Sequence, residues 1–192
     1  MLIRLPISSA NVFYVVLGMQ KRYPNQLSIG INNPVIALNQ IEAAKIFSKD
    51  TRSDIGGEAN KMKFANGINS VIVKFLRLDY DEVNEWDLLI MERLYALDYR
   101  SHEIEKRELW MDVLEDEIKE LHTAGFVHRD IRRPSNIPGE RFDNVLLTSG
   151  GLRLIDVGIS ALRTQVGDKL FDKYVATELE ELQIFRQFFL NR

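Results

Sequence analysis

The residues best suited to chemistry in this chain are crowded between Leu121 and Gly158. The stretch reads LHTAGFVHRDIRRPSNIPGERFDNVLLTSGGLRLIDVG. It contains His128-Arg129-Asp130, then Asn144 with Val145-Leu146-Leu147 behind it, then Asp156-Val157-Gly158 after an apolar run. A carboxylate within reach of a hydroxyl can take its proton. Carboxylate and amide oxygens are also the ligands a hard cation such as Mg²⁺ prefers. Either tripeptide alone is an ordinary loop or turn. The signal lies in their order: a helix stopped by glycine, a short strand into His-Arg-Asp, then Asn-Val-Leu-Leu and a hairpin into Asp-x-Gly.

That order resembles the catalytic core of protein kinases. The helix–loop signature of the family is matched by Leu121, His122, Gly125, His128, Arg129 and Asp130, and its metal-binding Asp-Phe-Gly by Asp156-Val157-Gly158. The resemblance implies roles. Asp130 is the catalytic base, and Arg132 steadies the transferring phosphoryl group. Asn144 and Asp156 are the Mg²⁺ ligands, and His128 and Arg129 hold the loop. One spacing departs from the family. Asn144 follows Asp130 by fourteen positions instead of five, an insertion of nine residues around Arg133 to Arg141. Asn136 is the rival metal ligand. Asn144 is preferred for its apolar neighbours and its twelve-residue spacing to Asp156. Arg132, Arg133 and Arg141 are candidates for contacting an anionic acceptor, or simply a solvated loop.

If the resemblance holds, the upstream half supplies an ATP site. Glu42-Ala43-Ala44-Lys45-Ile46-Phe47 resembles the strand that carries the family's phosphate-binding lysine. Lys45 then reaches the α- and β-phosphates, Ala43 borders the adenine, and Glu58 pairs with Lys45. Asp87 to Leu94 resembles the fifth strand and hinge. This implies Met91 as gatekeeper, backbone contacts to adenine from Glu92 and Leu94, and Leu146 beneath the purine. The phosphate loop corresponds to Ser28 through Val35, with Gly30 and Val35 as its nucleotide-side residues. Only one of the family's three glycines is present, and Pro34 has no N–H for a phosphate.

The elements that must position these groups follow from periodicity. Strands are expected over Val12–Leu17, Leu27–Ile31, Val35–Leu38, Ile41–Phe47, Ile68–Leu78 and Trp86–Glu92. A helix is expected over Gly57–Ala65. A longer helix over Arg107–Thr123 presents Leu109, Val113, Leu114, Ile118 and Leu121, and Gly125 ends it. Phe126–Val127 is strand-like, and Val145–Leu147 with Leu152–Ile155 reads as a hairpin around Ser149-Gly150-Gly151. A last helix, Lys173–Leu190, lines up Val175, Leu179, Leu182, Phe185, Phe188 and Phe189 as core. The fold class is α+β, one domain over residues 1–192. The resemblance makes it a protein-kinase-like two-lobed fold: a sheet-rich N-lobe over about 1–94, a hinge near 92–94, and a short helical C-lobe over about 95–192.

Bulk composition narrows the function classes. The chain has 192 residues, 45% hydrophobic, with a net charge of −3. That balance argues against non-specific nucleic-acid binding. No cysteine is present, which removes disulfides, thiolate chemistry and cysteine-ligated zinc. The absence of cysteine fits a cytoplasmic protein best, and the apolar run Ala10–Met19 is too short to cross a bilayer, so no transmembrane segment is expected. Thirty-four residues follow Gly158, without an Ala-Pro-Glu motif, so the layout is similar to RIO-type and lipopolysaccharide (Kdo) kinases. The expectation is an ATP- and Mg²⁺-dependent phosphotransferase acting on Ser/Thr of a protein. The alternatives are a kinase of a small molecule or lipopolysaccharide sugar, and a pseudokinase that binds nucleotide or a protein partner.

Overall fold

The computed structural model describes residues 25–28, 33–49, 53–132 and 142–191. Within them the chain is mixed α and β. An antiparallel sheet of four strands is built from β1 (Val35–Ala37), β2 (Glu42–Phe47), β3 (Phe75–Asp81) and β4 (Trp86–Glu92), in the order β1-β2-β4-β3. Helix α1 (Ile55–Asn66) lies between β2 and β3 in sequence. The remainder comprises α2 (Ile104–Ala124), β5 (Phe126–Val127), the hairpin β6 (Val145–Thr148) and β7 (Gly151–Leu154), β8 (Ala161–Leu162), a four-residue helix α3 (Arg163–Val166), and α4 (Asp168–Leu190).

β2 lies between β1 and β4, and Ala43 through Phe47 are all buried. Its pairing with β4 sets Ala43 opposite Met91 and Lys45 opposite Leu89. α1 begins at Ile55, two residues before its expected start, because the Asp54 carboxylate caps it and accepts the Gly57 amide at 2.9 Å. Glu58, Ala59, Met62 and Ala65 form its buried stripe.

Several expected boundaries are corrected. Val12–Leu17 and the run Ala10–Met19 lie outside the described residues, as do Ile29 to Ile31. Leu27 and Ser28 bond beside β1 without forming a regular strand. The strand expected over Ile68–Leu78 starts only at Phe75. Ahead of it, Val71, Ile72 and Val73 form a fully buried connector. Val73 donates to Leu154 O at 2.8 Å and Leu154 donates to Val71 O at 2.7 Å, so this segment joins the upstream half to β7. Asn66 holds the transition by accepting the Phe75 amide and donating to Ile72 O. A run of apolar residues marks both a strand and a buried connector, which is why sequence could not separate them.

The stripe on α2 is also displaced. Arg107, Met111, Leu114, Ile118, Leu121 and His122 are buried, while Leu109 and Val113 are 66% and 58% exposed. Arg107 is counted as polar in any periodicity, yet its stem is covered and its guanidinium donates to Phe189 O at 2.8 Å. On α4 the buried set is Phe171, Glu178, Leu182, Phe185 and Phe189. Leu179 and Phe188 are each 39% exposed, though the Phe188 ring still lies 4.9 Å from Phe142. α4 starts at Asp168, five residues before its expected start.

α2 ends as expected. Gly125 adopts φ 96° beyond its last turn, and a Cβ there would come within 3.2 Å of Arg163. The hairpin turns on Ser149-Gly150, with Thr148 paired to Gly151. Ile155 has left the ladder and instead donates to Asn144 O at 3.0 Å. One apolar cluster runs through both halves, from Ala43, Met62 and Met91 to Leu114, Leu154 and Phe185. Burying each of the larger of these side chains contributes about 2 kcal/mol before chain entropy is counted. Among the described residues, no helix is long and apolar enough to cross a membrane.

Candidate active site

Three ionisable side chains from distant parts of the sequence meet beside the sheet. Lys45 points from β2 toward α1, and its Nζ lies 2.8 Å from Glu58 Oε1 and 2.7 Å from Asp156 Oδ1. Lys45 and Glu58 are almost fully buried, whereas the Asp156 side chain stays 48% exposed. Burial works against the Lys45 charge, but Asp156 and Glu58 outweigh it and hold the ammonium above the ordinary lysine range. Burial lifts Glu58 above the usual carboxylate range, only partly opposed by Lys45. Burial also works to raise Asp156, but the Lys45 ammonium and the Gly158 amide prevail and keep it below its ordinary value.

Asp156 adopts φ 61°, a conformation that costs a non-glycine residue roughly 1 kcal/mol or more. Neighbouring bonds hold it. His128 Nε2 lies 3.0 Å from Ile155 O, one residue upstream, and Val157 is buried in the main core. Gly158 approaches closely: a Cβ there would lie 3.3 Å from Asp156 Oδ1 and 3.5 Å from Glu58 Oε2. Lys61, one turn beyond Glu58, donates to Gly158 O at 2.8 Å.

A second group is built around Asp130. Asn144 spans the fourteen-residue separation with its Nδ2, which lies 2.9 Å from both Asp130 O and Asp130 Oδ2. Its Oδ1 is not used in these bonds. Asn136, the rival, lies outside the described residues, as do Arg133, Arg141 and Gly30. No protein-family model matches the chain, and no curated protein matches it. The residues themselves must therefore carry the functional reading.

The apolar residues expected around a purine are grouped. Ala43 and Met91 face each other across β2 and β4, and Val35 and Leu94 pack against the same cluster. Leu146 is half-buried on β6. The hinge segment refines one expectation. The Glu92 amide is already taken by Lys74 O at 2.9 Å, so only its carbonyl could serve a ligand. Its side chain is occupied as well, accepting the Lys74 amide at 2.7 Å and pairing with Arg153 on β7.

Sequence reasoning missed Glu178. This carboxylate is buried on α4, 2.9 Å from His122 Nε2, and it accepts the backbone amide of Arg129. Arg129 has φ 69°, donates to Ile159 O at 2.8 Å, and lies over the Tyr174 ring at 3.9 Å. Glu178 therefore braces the loop one residue before Asp130. A signal was available: it is an acid set within the apolar stripe Phe171, Leu182, Phe185, Phe189.

The donor set can be tested against a divalent cation. Among the described residues, no group of three or more His, Cys, Asp or Glu could hold a metal. Asp156 and Asn144 offer one carboxylate and one amide oxygen. That is a poor cage for a free ion but suits Mg²⁺ carried on phosphates, which takes one or two protein oxygens and fills its octahedron from phosphate and water.

Proposed function

We propose that the protein is an ATP- and Mg²⁺-dependent phosphotransferase of the protein-kinase-like fold, with the four-stranded sheet and α1 as its N-lobe. The observation that carries this reading is the meeting of Lys45, Glu58 and Asp156 within 2.8 Å, from positions separated by up to 111 residues. The Asn144–Asp130 contact supports it independently.

In this reading Ala43, Met91, Val35, Leu94 and Leu146 enclose the adenine, and the Glu92 carbonyl and Leu94 amide meet its edge. Lys45, oriented by Glu58, binds the α- and β-phosphates. Asp156 and Asn144 would hold Mg²⁺, which neutralises phosphate charge when bound. Asp130 receives the acceptor hydroxyl's proton, and Asn144 fixes its carboxylate. Arg132 meets the charge on the transferring phosphoryl group. The acceptor is a Ser or Thr hydroxyl of a protein, and the setting is cytoplasmic.

The test is melting and γ-phosphoryl transfer on wild type, Asp156→Ala and Asp130→Asn. At a hundredfold excess over its dissociation constant, Mg²⁺–ATP stabilises the native state by about 2.7 kcal/mol, a clear rise in Tm. Asp156→Ala should lose that rise. Asp130→Asn should keep it and lose transfer. Binding without transfer in wild type overturns catalysis in favour of a nucleotide-binding scaffold. No binding at all overturns the whole reading.

A further inference from the structure

Glu181 lies one turn beyond Glu178 on α4 and has no place in the mechanism above. Its carboxylate accepts the backbone amide of Arg132, so α4 holds the loop on both sides of Asp130: Glu178 at the Arg129 amide and Glu181 at the Arg132 amide. The two acids differ in one respect. Glu178 uses both oxygens, on Arg129 and His122. Glu181 Oε2 is buried without a hydrogen-bond partner, and so is Arg132 Nε. A buried acceptor and a buried donor, each unsatisfied, thus belong to the same two residues already joined through the Arg132 amide. Leaving such atoms unpaired is costly, and a proton on the carboxyl or an ion pair with the guanidinium would relieve the cost.

We propose that Glu181 is a positioning residue that switches Arg132: protonated, it holds only the Arg132 amide and leaves the guanidinium free for an anion in the site; ionised, it draws the guanidinium to itself. The charged groups around it fix the direction. Burial, the Glu178 carboxylate on its own helix and the Asp130 carboxylate on the loop all favour the proton. The Arg132 amide and guanidinium favour the ionised form. The carboxyl is pushed up to about 7, so the exchange falls near neutrality. The neighbouring His122 is engaged by Glu178, and the Arg129 guanidinium donates to Ile159 O over the Tyr174 ring. The effect on catalysis rests on the phosphotransferase reading; the pairing itself does not.

Two measurements on the whole chain test this. The first follows the Arg132 Nε–Hε resonance and the Glu181 carboxyl carbon by NMR from about pH 5.5 to about pH 8.5. Both should move with one midpoint in wild type, and the Arg132 signal should stop moving in Glu181→Gln. An Arg132 signal indifferent to pH in wild type overturns the proposal even if the variant does not fold. The second is the rate of hydrolysis of saturating Mg²⁺–ATP over the same range. Wild type should lose about tenfold as Glu181 ionises, and Glu181→Gln should stay level. A purely structural role would lower the variant at every pH and leave the profile's shape unchanged, which also overturns the proposal. If Arg132 follows Glu181 but no hydrolysis occurs at any pH, the pairing stands and the phosphotransferase reading falls.

Discussion

The charged cluster around Lys45 and the one beneath the Asp130 loop are balanced in different ways. In the first, Lys45 lies between Glu58 and Asp156, so a buried cation is shared by two acids. In the second, Glu178 and Glu181 brace the loop that carries Asp130, and their partners include backbone amides, which bear no net charge. The first cluster keeps its lysine charged despite burial. The second has more acid than it can ionise cheaply, and the surplus falls on Glu181, pushed up to about 7. Burial raises both Glu58 and Glu181, and a carboxyl stays low only where, as at Asp156, a neighbouring ammonium and an amide together outweigh it.

Asp130, on the loop that Glu178 and Glu181 hold, carries the greatest expected loss. If it is the base, Asp130→Asn should lower phosphoryl transfer by about a thousandfold, read in single-turnover assays with nucleotide bound. A loss of less than about tenfold would remove Asp130 from the chemistry and leave the second cluster merely structural.

Next in size is Lys45→Met. It strips both acids of their cation and leaves Glu58 buried and alone, so urea unfolding should show a loss of about 3 kcal/mol. Adding Glu58→Gln should recover part of that loss, because the orphaned charge is gone. Stability unchanged in Lys45→Met would mean the first cluster contributes nothing to the fold.

Glu178→Gln sharpens the contrast. It removes a charge-assisted bond to the Arg129 amide and should cost about 2 kcal/mol in the same assay. It also removes one of the carboxylates that raise Glu181, so the Glu181 midpoint, followed by carboxyl NMR, should fall.

The smallest effect is the pH dependence of stability, in which the depressed Asp156 acts with one sign and the raised Lys45 and Glu181 with the other. Asp156 is depressed in the folded state, so its contribution is complete above the ordinary carboxylate pKa and is lost as pH falls through the lower folded value. Lys45 is raised, so its contribution is complete below the ordinary lysine pKa and is lost at still higher pH. Glu181 is raised from 4.5 to about 7, so the folded state holds its proton more tightly and stability falls as pH rises across that interval. After discounting for solvent screening at this partly buried position, the decline is about 1 kcal/mol. Glu181→Gln should flatten it in denaturation curves taken near pH 5 and pH 7.

Much of the architecture was legible in the sequence because local chemistry decides it. Trp86–Glu92 is a strand between turns, and Gly125 ends α2 because only glycine adopts its φ of 96° at little cost. The order of motifs from Leu121 to Gly158 singled out Asp130, Asn144 and Asp156, and the small-residue strand at Ala43-Ala44 singled out Lys45. Tertiary structure decided what periodicity cannot see. It set Asp156 beside the Lys45–Glu58 pair that the sequence already suggested, closed the gap from Asp130 to Asn144, and chose the buried face of α2 through Arg107 in preference to Leu109 and Val113. It also turned Glu178 and Glu181 inward beneath the loop. The physical reason is the same in each case. Burying a charged or polar group costs free energy unless a partner meets it, and the partner is set by the fold and not by neighbours in the chain.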